Sequence, residues 1–243
     1  MAITPSLAMI PSGYKAQKLY SAVPTNGDGD FDFARSTSAT RVNKDGLIEE
    51  VAVNVPRLDY SDGGCPSLLL EPTRSNLVTY SEDFSQSAWG KTNTTINSNQ
   101  AISPDGTLNA DKLVENSSST PHYLQKTITT TSGIDYTFSC FVKKSERSNI
   151  RVSRAGGSTA VSFNLNNFTV LNSSSGVGKI ELFNNNWVKC SFTFPTNSTS
   201  TNLRIELQTF QGSAIQSYQG DGTSGVYIYG AQLEQGSYAT SYI

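Results

Sequence analysis

The stretch "LRIELQTF" sets Arg204, Glu206 and Gln208 at alternate positions, with Leu203, Ile205 and Leu207 between them. A strand sends successive side chains to opposite faces, so the apolar three point to a core and the polar three share the other face. A row of long, planar-headed donors and acceptors can chelate neighbouring hydroxyls, and an aromatic ring beside it can stack on a sugar ring. "IRVSRA" adds Arg151 and Ser153 by the same parity, and "GVYIYG" puts Tyr227 and Tyr229 on one strand face. Trp89, with His122 and Tyr123, can edge a cleft. The expected glycan-binding set is thus Arg204, Glu206, Gln208, Arg151, Trp89, Tyr227 and Tyr229. Trp89, Tyr227 and Tyr229 suit a core or a subunit interface equally well.

Catalytic chemistry has little to stand on. The chain has one histidine, His122 in "STPHYLQ". Neither the GxSxG nor the HExxH pattern occurs. Glu49-Glu50 and Glu82-Asp83 are adjacent pairs, and neighbours on a strand face opposite ways, which is poor geometry for two carboxylates flanking a glycosidic bond. The expectation is binding without catalysis.

The elements that must carry these residues are strands. Of 243 residues, 36% are hydrophobic, 10% aromatic and only 16% charged, against roughly 25% charged in an average soluble domain. Ser, Thr, Asn and Gly make up the difference, as short strands and polar turns require. The net charge of -2 draws the chain to neither nucleic acid nor anionic membrane. The opening "MAITPSLAMIPSGYK" lacks the pattern of a cleaved signal peptide, and no apolar run approaches the ~20 residues of a membrane span.

Residues 1–72 read as an extended N-terminal arm, irregular apart from one hairpin at Asp45-Gly46. Residues 73–243 read as a β domain. "HYLQKTIT", "YTFSCFVKK", "IRVSRA", "AVSFNLN", "KIELF", "WVKCSFTF", "LRIELQTF" and "GVYIYGAQLE" recur with period-two alternation between Gly-, Asn- and Ser-rich spacers. About eight such strands predict an all-β, antiparallel β-sandwich of jelly-roll type. Tyr136, Phe138, Cys140 and Val142 should form one core stripe, and Val188, Cys190, Phe192 and Phe194 another. Of the three cysteines, Cys140 and Cys190 read as buried free thiols.

"DFARSTSATRVNKDGLIEEVAVNVPRLDY", "SLLLEPTRSNLVTYSEDFSQSAW" and "GVYIYGAQLEQGSYATSYI", in that order, resemble a module of tailed-phage virion proteins found in tail fibres, spikes and head fibres. The middle of the chain also resembles the jelly-roll carbohydrate-binding modules appended to glycanases. The resemblance implies a structural protein of the virion surface, assembled in the host cytoplasm. Its implied partners are other virion proteins, copies of itself (a trimer) and host-surface polysaccharide. In such proteins "TSYI" commonly runs on into further chain; the end at Ile243 favours a compact decoration, spike or short-fibre subunit. The alternative is a free bacterial carbohydrate-binding module or adhesin. The resemblance further implies that Arg35, Arg41, Arg57 and Arg74, with Asp32, Asp59 and Glu71 as partners, stitch the arm onto a domain or a neighbouring subunit. The plainer reading is surface ion pairs of small worth. Jelly-roll binding modules often hold a structural calcium near their termini, for which Glu82, Asp83 and Glu234 are the candidates by position.

Overall fold

The computed structural model describes residues 7–155, 159–172 and 175–243. They form two units, Met1–Thr73 with Ser241–Ile243, and Arg74–Thr240.

Among its described residues the first unit holds three separate small sheets where one hairpin was expected. Strands β1 (Ala8–Lys15), β2 (Lys18–Val23) and β3 (Phe31–Asp32) form a sheet in that order; β4 (Ala39–Val42) pairs with β5 (Ile48–Val51), and β6 (Leu58–Asp59) with β7 (Ser67–Leu68). The β4–β5 turn is the Asp45-Gly46 signal, with Gly46 at φ 76° and the Asn43 amide donating to the Leu47 carbonyl at 2.8 Å. The β1–β2 turn passes through Gln17 at φ 70°, a residue type that announces no turn. Among the described residues the large apolar side chains buried here are Leu19, Ile48, Val51 and Leu58, and Arg57 and Asp59 are also buried.

Polar pairing therefore does much of the holding. Arg57 Nη1 meets Glu71 Oε2 at 2.7 Å and Ser241 Oγ at 2.8 Å. Arg41 pairs with Glu49 at 2.6 Å. Arg35 aims Nη2 at the carbonyls of Val51, Ala52 and Val55. Of the expected acidic partners, Glu71 takes Arg57. Asp59 instead accepts the Val42 amide at 2.8 Å, and Asp32 lies 3.6 Å from Lys18. Arg74 belongs to the second unit, where it reaches the Gln235 carbonyl and sits 5.7 Å from the Tyr238 ring.

The second unit is an antiparallel β-sandwich. Its strands are β8 (Gly90–Thr92), β9 (Thr94–Ile102), β10 (Leu108–Glu115), β11 (Ser119–Thr120), β12 (Tyr123–Thr129), β13 (Ile134–Lys144), β14 (Asn149–Arg154), β15 (Ala160–Asn164), β16 (Thr169–Asn172), β17 (Val177–Leu182), β18 (Trp187–Thr196), β19 (Ser200–Gln208), β20 (Tyr218–Gln219) and β21 (Gly225–Gln235). One sheet runs β17-β18-β13-β21-β10-β9, the other β16-β15-β14-β19-β12-β8. The chain crosses from sheet to sheet at β10, β12, β13 and β14, then returns through β18, β19 and β21 so that late strands lie beside early ones, β21 between β10 and β13 and β19 between β12 and β14. That is the wrapped double Greek key of a jelly roll.

Both expected stripes are buried between the sheets, joined by Ile150, Val152, Phe163, Leu203, Ile205, Leu207 and Leu233. Each such side chain contributes roughly 1.5–3 kcal/mol on burial. Cys140 and Cys190 face each other as register partners and are buried and free, while Cys65 is exposed. Burial pushes the Cys140 thiol up to about 12. Lys126 occupies the inward parity between Leu124 and Ile128; its ammonium caps the core, 5.0 Å from the Trp89 ring, and donates to the Thr79 carbonyl at 2.8 Å. At Gly225 a Cβ would stand 1.9 Å from the Leu113 carbonyl oxygen, so only glycine allows β21 this close to β10.

Candidate binding face

The outward side chains of β12, β19, β14 and β15 form a grid. One row across the sheet is Tyr123, Glu206, Arg151 and Ser162; the next is Gln125, Arg204 and Ser153; Thr127 and Asn202 follow. Period-two alternation on four adjacent strands puts these polar groups together, because the other parity of each strand is used up by the core.

One half of the grid is roofed. The segment after β19, residues 209–217, folds back over it and offers backbone carbonyls. Arg151 Nε donates to Ser213 O at 3.2 Å, Gln208 Nε2 to Ala214 O at 2.9 Å, Ser162 Oγ to Gly212 O, and Asn149 Nδ2 to Thr209 O at 3.4 Å. Beneath this roof Arg151 Nη1 contacts both Glu206 oxygens, at 2.8 and 2.7 Å, and the Ser153 hydroxyl donates to the same carboxylate. Arg151, Glu206 and Gln208 are consequently buried. The expectation that "LRIELQTF" offers an open polar row is corrected to this extent: the following segment returns to cover the end of its own strand.

The other half is partly open. Tyr123, Gln125, Asn202 and Arg204 keep intermediate exposure. The Arg204 guanidinium lies over the Tyr123 ring at 4.3 Å, a diagonal cross-strand stack. Gly90 lets the neighbouring edge strand approach, since a Cβ there would fall 3.1 Å from Gln125 Cγ.

Five buried side-chain atoms on this face have no hydrogen-bond partner among the described residues: Gln125 Oε1, Asn149 Oδ1, Asn202 Oδ1, Gln208 Oε1 and Arg204 Nε. Leaving such an atom unsatisfied costs on the order of 1–3 kcal/mol. They gather on three adjacent strands, β12, β19 and β14.

The remaining expected residues lie elsewhere. Trp89 is in the core, 5.0 Å from Phe84, with its indole N–H on the Tyr80 carbonyl at 3.0 Å. Tyr227 and Tyr229 are on β21 in the opposite sheet. Tyr229 is buried, its hydroxyl 3.0 Å from both Glu82 and Asp105. Burial acts to raise Asp105, but donors from Ser103, Thr107 and Asn109 outweigh it and hold the carboxyl below its ordinary range. His122 is buried, with ring nitrogens on the Asn93 and Tyr218 carbonyls at 2.8 and 3.3 Å.

The calcium candidates do not converge. Asp83 takes Ser85 and Gln86 as donors, which lower it. Glu82 meets Tyr229. Glu234 is sealed by Gln232, Thr240 and the nearby Arg74. Among the described residues no group of three or more His, Cys, Asp or Glu could hold a metal ion. Gln125, Asn149 and Asn202 were missed as site residues; the same parity that gave Arg204 would have found them.

No protein-family model matches the chain, and no curated protein matches it. Among solved structures it is similar to the enzymatically active domain of tailspike protein 4 of bacteriophage CBA120, with 12% identity, a TM-score of 0.41, and coverage of 66% of this chain and 21% of that one. It is also similar to the CBM22-1 and GH10 modules of Clostridium thermocellum endo-1,4-beta-D-xylanase 10B, with 14% identity, TM-score 0.37, and 69% of this chain against 30% of that one. The CBM22-1 xylan-binding domain of Paenibacillus barcinonensis Xyn10C gives 11% identity and TM-score 0.37, over 69% of this chain and 95% of that one. The chain thus spans less than a third of the first two proteins, and at scores this low the neighbours say nothing of what it binds.

Proposed function

We propose that this chain binds glycan without cleaving it, through the open half of the β12–β19–β14 face, and that it does so as a surface protein of a tailed-phage virion. The observation that carries the binding reading is the set of unsatisfied polar atoms on Gln125, Asn202 and Arg204, gathered beside a partly exposed tyrosine ring. Amide oxygens and a guanidinium N–H complement sugar hydroxyls, and Tyr123 supplies an apolar platform. The non-catalytic reading is supported by Glu206, the one carboxylate in the grid rows, being held by Arg151 and Ser153, which leaves it poorly placed to move protons. The virion reading rests on the three sequence blocks, as do its companions: a homotrimer, contacts with other virion proteins, and host-surface polysaccharide as ligand.

The test is a screen of host-surface polysaccharides with the full chain and with a Gln125→Ala/Asn202→Ala double variant. Binding by the parent, at least tenfold weaker in a variant that is as stable as the parent or more so, since it removes two unsatisfied buried oxygens, is the expected result. No binding to any polysaccharide would remove the reading, and release of shortened oligosaccharides would overturn its non-catalytic half.

A further inference from the structure

Resting on that reading, the structure assigns the class of sugar: we infer that the face takes an acidic sugar residue, whose carboxylate is received by Arg204. The chain has eight arginines. Arg41, Arg57, Arg147 and Arg151 each hold a carboxylate. Arg35, Arg74 and Arg154 reach backbone carbonyls. Arg204 alone has neither a hydrogen-bond acceptor nor an ion-pair partner among the described residues, and its Nε is a buried donor without a partner.

Geometry makes this arginine a receptor rather than a stray surface charge. Its register partners are Gln125 on one side and Ser153 on the other, and its guanidinium carbon lies over the Tyr123 ring, 4.3 Å from the ring centre. The guanidinium fork is thus pre-positioned, and a planar carboxylate matches it with two parallel hydrogen bonds. Glu206, two positions along the strand, is not available to it, since Arg151 and Ser153 occupy that carboxylate. With the Arg151–Glu206 pair neutral overall, Arg204 gives this part of the face one net positive charge. Gln125 and Asn202, both partly exposed, flank it with amides suited to hydroxyls beside a sugar carboxylate. A neutral hexose would leave the guanidinium without a counter-charge.

The experiment uses the full chain with polygalacturonate, alginate and polysialic acid, each beside its carboxyl-reduced form, and with dextran sulfate as a charge-only polymer. Binding of at least one acidic polymer is expected, weakened about tenfold to a hundredfold by carboxyl reduction and by Arg204→Gln, while thermal unfolding of the variant matches the parent. Arg204→Lys should recover only part of the affinity, because it keeps the charge and loses the fork. Equal binding of native and carboxyl-reduced polymer would overturn the acidic-sugar inference and leave glycan binding standing. Dextran sulfate binding as tightly as the acidic polymers would also overturn it, as charge attraction alone. No binding to any polymer would overturn the inference and the glycan reading together.

Discussion

Arg204 and Glu206 stand two positions apart on one strand face and differ in almost every physical respect. Arg204 is half-open, stacked and unpaired; Glu206 is buried and held by three polar contacts. Changing the second should therefore damage the fold, while changing the first should damage binding. Glu206→Gln removes the counter-charge of a buried arginine, and breaking a buried pair in this way costs about 3 kcal/mol or more. The expected outcome is a urea midpoint lowered accordingly, with most of the loss recovered by Arg151→Met/Glu206→Leu, in which no charge is left unpaired. A single variant as stable as the parent would show that the pair is not buried in solution. Alternation in "LRIELQTF" made the shared face legible from the sequence. What it could not reveal is the roof, because residues 209–217 have no pattern of their own and their carbonyls take partners by tertiary position.

At the level of elements, strands with strict alternation were legible and strands without it were not. β13, β18 and β19 carry apolar residues at every second position and were read directly; β21 does so in two runs, Val226 with Ile228 and Ala231 with Leu233, whose parity changes at Gly230. β9, "TTINSNQAI", has no apolar stripe because its side chains are mostly exposed, and β16 sat unseen in a polar spacer. One tie at the β10 end was equally invisible. Glu115, buried on β10, accepts Arg147 at 2.8 and 2.5 Å, Tyr218 hydroxyl at 2.7 Å and the Asp221 amide at 3.0 Å. Burial alone would raise the Glu115 pKa, but these donors win and lower it. Glu146, against burial and chiefly through Lys112, is drawn down to about 2, and Asp221 is lowered by Ser224 and Thr223. Carboxyls depressed in the folded state contribute stability that is present above their unfolded values near 4 and lost as pH falls. Asp111, raised by burial, works in the opposite sense and softens the loss. The urea midpoint should thus hold from pH 7 to about 4.5 and fall steadily toward pH 2. Arg147→Met should lower the plateau and flatten the acid slope. A midpoint unchanged between pH 4.5 and 2.5 would refute the clamp.

For the molecule as a whole, the two units draw on different forces, and this fixes how fragments should behave. The apolar core cluster lies entirely within residues 78–233, so the sandwich carries its own driving force for folding. Among its described residues the first unit buries four large apolar side chains, and it relies on polar ties, three of which reach the far end of the chain. Arg57 and Glu71 both bind Ser241, and the Thr40 hydroxyl donates to the Tyr242 carbonyl. Sequence reading placed the whole C-terminus with the sandwich, since contacts spanning some 170–200 positions leave no local trace. Residues 74–240 expressed alone should therefore give a β-rich circular dichroism spectrum and one cooperative thermal transition. Residues 1–73 alone should show no cooperative transition, because a unit this short with so small an apolar core lacks the burial to offset its chain entropy. Removing only Ser241–Ile243 separates the two contributions: the sandwich transition should persist while amide hydrogen exchange rises through residues 39–71, where the lost partners were. A cooperatively folding fragment 1–73, or unchanged exchange after the three-residue deletion, would show that the first unit holds itself together without the chain's end.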